Sequence, residues 1–449
     1  MSGTLRRWWA LALVAGLVAI ALLVAVLLPS ERAPVPALAL SPTAAPAPVR
    51  APLLTPLNAT ASIPTQRGLK AALAHALAAP ALGGRVTLSV VDVQTGQPLW
   101  ETAGAPQVVP ASTAKILTAI AALTVLPADL RLVTRVVRGA PGDVVLVGGG
   151  DPTLLGTNSA PLLYPRPARL LDLARQLKGT VVRRVVVDDR LFTGTGTGPG
   201  WKPAYVTAGD VAPVSALQVR LSEMGSAPQD PALDAGRQLA ALLHVTAVVR
   251  GHAAAGAAEL ASVSSPSLTE LVETMLTTSD NNLAESLGRE VALATHLPAT
   301  FDGEVAAVNA VLKPVLSQLG LAPLSVALRD GSGLSPLDRV QPAAISRLLA
   351  LAGRDDRYAA VLQGLPVAGF DGTLQDRYRK GAGLAAAGQV RAKTGTLTGV
   401  SALAGVVRTK DGRLLAFDLT ADRLPDPGKD AAQAALDAVA AGLAACGCA

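Results

Sequence analysis

Apolar positions along the chain change period from segment to segment, and the changes mark out its elements. Leu69, Leu73, Leu77 and Leu82 recur at helical spacing and predict a short amphipathic helix near the start of the folded part. Arg85 to Val93 and Pro98 to Thr102 read as strands around Gln94-Thr95-Gly96-Gln97, a hairpin signal. Ile116, Leu117, Ile120, Leu123 and Leu126 return to helical spacing and place Ser112 at or just inside a helix N-terminus. Arg131–Arg138, Val144–Val147 and Val181–Val187 are β-like, Arg237–Leu243 reads as helix and Val245–Val249 as strand. From Ser267 the pattern is helical again, with Leu268, Leu271, Val272, Met275 and Leu276 on one face; a second helix begins near Leu283, and others are predicted at 303–319, 341–353 and 357–363. The finish is β–β–α. Gln389–Lys393, Val400–Val407 and Leu414–Leu419 precede an Ala-rich helix over Asp430–Leu443. Strands at both chain ends with helices between them imply a mixed α/β (α+β) unit closed by the C-terminal hairpin.

A chain of 449 residues exceeds one compact core and favours more than one domain. Arg6 and Arg7 precede Trp8–Leu28, a stretch without charge that is long enough to cross a bilayer core of about 30 Å as a helix. The charge bias puts the N-terminus inside and the remainder outside. Residues 1–28 therefore read as a transmembrane anchor, or as a signal segment cleaved at small-residue sites such as Ala37-Leu38-Ala39. Residues 29–65 are rich in Pro, Ala, Ser and Thr and read as a disordered spacer, with order starting near Gln66. The catalytic unit is expected over 66–126 and 267–449, interrupted by an inserted domain over 127–266.

Composition narrows the function. Aromatics are 3%, so Ala, Val and Leu must build the core. The formal charge of +6 suits an anionic envelope, but the clustered Lys/Arg and interleaved aromatics of a nucleic-acid surface are missing. A disulfide between Cys446 and Cys448 would be strained at that spacing, so the pair reads as a tail feature without a role. His75, His244, His252 and His296 lie away from every motif and have no ligand spacing, so neither a metal nor a Ser-His-Asp triad is implied. Asp188 and Asp189 alternate across a strand and are not expected to act together. Gly148-Gly149-Gly150 lacks the residues of a phosphate cradle.

The candidate chemistry starts at Ser112-Thr113-Ala114-Lys115, the only Ser-x-x-Lys spacing in the chain. One helical turn puts Lys115 within reach of the Ser112 hydroxyl. A lysine accepts the serine proton only if burial or a neighbouring cation lowers its pKa from about 10.4. A capping serine followed by a surface lysine would show the same spacing. Two further stretches decide against that reading. Ser279-Asp280-Asn281 falls at a helix junction, Lys393-Thr394-Gly395-Thr396 opens a strand, and the order S-x-x-K, S-D-N, K-T-G is the signature of penicillin-recognising serine acyl-transfer enzymes.

On these motifs, with Leu146 to Leu154, Pro213 to Leu217, Ala284-Glu285, Asp330-Gly331-Ser332-Gly333-Leu334 and Asp371-Gly372-Thr373-Leu374, residues 66–444 resemble the class C low-molecular-mass penicillin-binding proteins, the D-alanyl-D-alanine carboxypeptidase/endopeptidase family. The stretch after Leu217 is short for the small third domain this family nests in its insert. The resemblance implies the penicillin-binding/β-lactamase-like fold, an antiparallel sheet flanked by helices. It implies Ser112 as the acylated nucleophile, Lys115 as its base and Ser279 as a proton relay to the leaving amine. Asn281 would hold the substrate peptide, Lys393 and Thr394 its terminal carboxylate, and the Ser112 and Thr396 N–H groups the oxyanion beside Gly395. It further implies peptidoglycan stem peptides as substrate, β-lactams as covalent inhibitors, an extracytoplasmic location and no cofactor. Two alternatives use the same residues. A β-lactamase needs a deacylating base, and no Glu-x-x-Leu-Asn pattern occurs in the insert; a silent wall-binding protein has no need of intact Ser112, Lys115, Ser279, Asn281 and Lys393.

Overall fold

The computed structural model describes residues 60–102, 106–157, 166–220, 227–322, 325–425 and 428–448, and in it the two ends of the chain meet in one sheet. Helix α1 (Gln66–Leu77) is capped by the Thr65 hydroxyl and buries Leu69 and Leu73. Strands β1 (Val86–Asp92) and β2 (Pro98–Glu101) form the expected hairpin. A tight turn over Ala111–Ala114 then delivers Ser112 to helix α2 (Lys115–Val125), whose residues 115–123 are all buried. A helix apolar on every side belongs at the centre of a domain, and this one sets Lys115 at its buried end.

Between α2 and Leu268 the chain builds a second sheet. Its elements are β3 (Val133–Arg138), β4 (Asp143–Val147), α3 (Leu170–Gln176), β5 (Arg184–Asp188), α4 (Pro203–Thr207), α5 (Pro231–Leu242), β6 (Ala247–Arg250) and β7 (Glu259–Ser264). The strand order is β6-β5-β4-β3-β7, with β4, β5 and β6 parallel. Parallel neighbours need crossovers, which α3 and α5 supply. Neither α3 nor β7 stands out in the sequence: α3 has seven residues, and β7 alternates through Glu and Ser rather than large apolar groups. The Gly/Thr-rich stretch that starts at Thr193 gives way to α4 at Pro203. Asp188 pairs with Arg190, whereas Asp189 pairs with Arg250, so the adjacent carboxylates serve separate partners.

The return runs through α6 (Leu268–Thr278), closed at its N-terminus by a Ser267/Glu270 capping box, then α7 (Asn281–Ala294) and α8 (Phe301–Gln318). The two-residue strands β8 (Val326–Ala327) and β9 (Arg339–Val340) clamp the base of the Asp330–Ser335 loop. Helices α9 (Pro342–Ala352) and α10 (Ala359–Gln363) precede β10 (Val390–Leu397), β11 (Val400–Arg408), β12 (Leu414–Ala421) and α11 (Lys429–Ala445). The first sheet has the order β10-β11-β12-β1-β2, antiparallel throughout. One face packs Leu403, Phe417 and Leu419 against α1 and α11; the other packs Ala404, Val406 and Ala416 into the core containing α2, α7 and α9.

Two expectations need correction at the chain ends. Packing begins before Gln66, because Ala61 is buried and its carbonyl accepts a 3.3 Å hydrogen bond from Arg413, itself paired with the buried Asp92. Cys446 and Cys448 form a disulfide, which the spacing argument had disfavoured; Cys446 sits in the core, and the Cys448 carbonyl accepts the Thr65 N–H at 2.8 Å. Trp8–Leu28 and residues 29–59 of the spacer lie outside the described residues. Among the described residues no helix is long and apolar enough to cross a membrane.

Phe417 is fully buried at the centre of the first sheet. Phe417→Ala should cost about 3–5 kcal/mol of unfolding free energy in denaturant titration; a loss under 1 kcal/mol would contradict this packing.

Candidate active site

Ser112, Lys115 and Asn281 meet where α2 and α7 begin. Lys115 Nζ lies 3.1 Å from Ser112 Oγ, 2.6 Å from Asn281 Oδ1 and 2.8 Å from the Ser332 carbonyl. The two fixed acceptors, Asn281 Oδ1 and Ser332 O, take two N–H bonds. A neutral amine has only two, so its lone pair is left facing the serine. Burial is the largest influence on Lys115 and brings its pKa down from the usual lysine range to about 8; Asp330, Glu285, Asp280 and Asp338 oppose the fall. The adjoining backbone is constrained as well, since Ala111 has φ 48°, a left-handed conformation rare outside glycine and concentrated at functional sites.

Asn281 is held at both ends of its amide: Nδ2 donates to the Asp210 carbonyl at 2.8 Å. Beside it, the Asn282 amide pairs with both backbone groups of Ala212, at 2.9 and 3.1 Å. The 196–212 segment therefore lies over the start of α7. Trp201 Nε1 donates to Asp330 at 2.7 Å, Ser335 Oγ to the Pro199 carbonyl at 2.7 Å, and Lys202 Nζ to Thr398 Oγ1 at 2.9 Å. Ser279, the C-cap of α6, adopts φ 61°; it is half-buried, and its hydroxyl has no hydrogen-bond partner among the described residues.

Lys393 is fully buried, with Nζ on the Thr394 carbonyl at 2.8 Å. Burial first, and then the Lys115 charge, push it well below the usual lysine range. Two ammonium groups in one dry crevice repel, so charge on one disfavours charge on the other. Gly395 passes so close to the turn that carries Ser112 that a Cβ would stand 2.7 Å from the Pro110 carbonyl. Thr394 Oγ1 donates to Thr373 Oγ1 at 2.8 Å, and Thr396 Oγ1 accepts from Gln433 at 3.3 Å.

Strand β10 is an edge strand, covered by Pro366–Ala368 only along its first half: the Ala392 N–H leaves the ladder for the Pro366 carbonyl. By strand alternation the Thr394 and Thr396 N–H groups point to the same open edge.

Ala284-Glu285 and Asp330-Gly331-Ser332-Gly333-Leu334 stand in the sequence only as matching motifs, with no role attached to Glu285, Asp330 or the Ser332 carbonyl. Gly333 at φ 79° would bring a Cβ to 1.9 Å from the Ala111 carbonyl, and so the Asp330–Ser335 loop lies directly on the turn that carries Ser112. Among the described residues no group of three or more His, Cys, Asp or Glu converges to hold a metal.

The architecture and this crevice are those of the penicillin-binding serine acyl-transfer enzymes. Residues 69–226 and 218–443 match the D-Ala-D-Ala carboxypeptidase 3 (S13) family, and the chain belongs to it. It is 39% identical to carboxypeptidase DacB of Mycolicibacterium smegmatis over 91% of this chain and 90% of the relative. It is 30% identical to the D-alanyl-D-alanine carboxypeptidase of Actinomadura sp., over 81% and 82%. Penicillin binding protein 4 (dacB) of Haemophilus influenzae shares the fold at TM-score 0.67 and 22% identity, over 84% of this chain and 98% of that structure.

Gly333→Ala should displace the loop from Ala111 and, by shifting the Lys115 acceptor, lower D-alanine release roughly 100-fold. A D-alanine release assay on folded protein checks this; wild-type turnover would show that the close approach is dispensable.

Proposed function

We propose that this D-Ala-D-Ala carboxypeptidase removes the terminal D-alanine of peptidoglycan stem peptides through an acyl-enzyme on Ser112, with neutral Lys115 as the base. The observation that carries the reading is the Lys115 amine held by two carbonyl-type acceptors at 2.6 and 2.8 Å with Ser112 Oγ at 3.1 Å. The Ser112 hydroxyl gives its proton to Lys115 Nζ as Oγ attacks the penultimate carbonyl. Charge collects on that carbonyl oxygen, where the Ser112 and Thr396 N–H groups donate, each worth about 2.7–4 kcal/mol in comparable holes. The peptide C–N bond then breaks as the leaving amine takes a proton relayed through Ser279, whose hydroxyl has no hydrogen-bond partner among the described residues. Water enters next and hydrolyses the ester.

The open edge of β10 gives an extended substrate a strand to pair with. Lys393 and Thr394 receive the terminal carboxylate. A carboxylate there favours the Lys393 ammonium, which in turn disfavours charge on Lys115. Substrate would thus help to keep the base neutral, and amidated substrates should lose turnover for want of that charge. Residues 127–266 serve as the inserted domain whose 196–212 segment roofs the crevice. Arg6, Arg7 and the uncharged Trp8–Leu28 support an extracytoplasmic enzyme tethered or exported through its N-terminus. Cleavage of crosslinks as an endopeptidase would use the same groups.

Labelled penicillin should acylate the protein at Ser112, and Ser112→Ala should abolish the label; persistent labelling of the variant refutes the assignment. Lys115 works only when neutral, so the acylation rate should climb as pH rises through about 8. A rate flat from pH 6 to 10 would exclude Lys115 as the titrating base.

A further inference from the structure

Glu285 is fully buried on α7, one helical turn from Asn281, and does not touch Ser112. Its Oε1 accepts the Ser332 N–H at 2.8 Å and its Oε2 the Gly331 N–H at 3.2 Å. The same two residues also carry the carbonyls that grip α2: Gly331 O, in one peptide unit with the Ser332 N–H, takes Thr118 Oγ1 at 2.6 Å, and Ser332 O, one peptide further on, takes Lys115 Nζ at 2.8 Å. Asp330 closes the same loop by accepting the Gly333 and Ser335 N–H groups at 2.6 and 2.7 Å. Behind Glu285, Arg289 lies 3.6 Å away and bonds Glu304 at 2.5 Å, with its guanidinium 4.2 Å from the Phe301 ring.

An ionised group so deep is costly unless its bonds are all made, and hydrophobic residues of equal volume are often as stable. Here the group spends both oxygens on one loop. We infer that Glu285 is a positioning residue for Lys115, clamping the N–H groups of Gly331 and Ser332 and so holding the loop backbone where the adjoining Ser332 carbonyl and Asn281 Oδ1 together aim the amine at Ser112. The inference rests on the reading of Ser112 and Lys115 given above.

Every charged group packed around Lys115 bears on its pH response: Asp280, Glu285 and Arg289 from α7, Glu304 from α8, Asp330 and Asp338 from the loop, and Lys393 from β10. Burial and then Glu285 drive Glu304 well above the carboxylate range, and the Arg289 guanidinium bonded to it opposes that rise. Glu285 thus contributes position and negative charge, and two substitutions separate them. Glu285→Asp keeps the charge but falls short of the amides by one methylene. Glu285→Gln keeps the length, loses the charge and can accept only one amide.

The test is the rate of penicillin acylation of the full chain against pH. Glu285→Asp should acylate roughly 10- to 100-fold more slowly with its acid limb unmoved. Glu285→Gln should be slow too, with the limb moved to lower pH by about half a unit, because losing an anion lowers the Lys115 pKa. If both variants merely melt earlier while folded molecules acylate at the wild-type rate and pH, the inference is overturned. Should either fail to fold, Thr118→Val loosens the same loop without touching a charge, and it should slow acylation with the limb in place; a wild-type rate there also overturns it. Lys115→Ala keeps the two readings apart. If it acylates normally, the catalytic reading falls; if it is silent while the Glu285 variants behave as wild type, only the role of Glu285 falls.

Discussion

The structure depends on a lysine amine kept out of water. Lys115 is fully buried at the start of a helix that is itself buried on every side, and its nitrogen meets a serine hydroxyl, a carboxamide oxygen and a backbone carbonyl. Desolvation makes the amine a base near neutral pH; the acceptors decide where its lone pair faces. Either alone is insufficient. A desolvated amine without fixed acceptors would rotate, and one in water would stay protonated.

The surrounding architecture supplies those acceptors from distant parts of the chain. Helix α7 brings Asn281, held in place by Asp210; the loop between β8 and β9 brings Ser332, held by Glu285; and β10 brings the second amine, Lys393. Close backbone approach joins them, at Gly333 against Ala111 and at Gly395 against Pro110. A side chain at either position would separate walls that must touch, which is why glycine recurs where different elements converge.

Electrostatics divides the crevice into two halves. Around Lys115 lie the carboxylates Asp280, Glu285, Asp330 and Asp338, which favour its charge. Toward β10 lies Lys393, whose own charge is disfavoured by burial and then by Lys115. The basicity of Lys115 is therefore a balance between burial and several charges rather than the product of one neighbour.

Local chemistry made much of this legible. Period-two and period-3.6 runs placed the β1–β2 hairpin, α2, the α6–α7 junction and the final β–β–α because apolar residues recur at the spacing of the element that carries them. The spacing within Ser112-Thr113-Ala114-Lys115 determined that the two side chains share one face of a helix turn. That three motifs face one crevice, and that Glu285, Asp330 and the Ser332 carbonyl stand behind Lys115, was decided only by tertiary structure. A backbone carbonyl has no letter in the sequence, and a buried carboxylate reads the same as an exposed one until the fold removes its water.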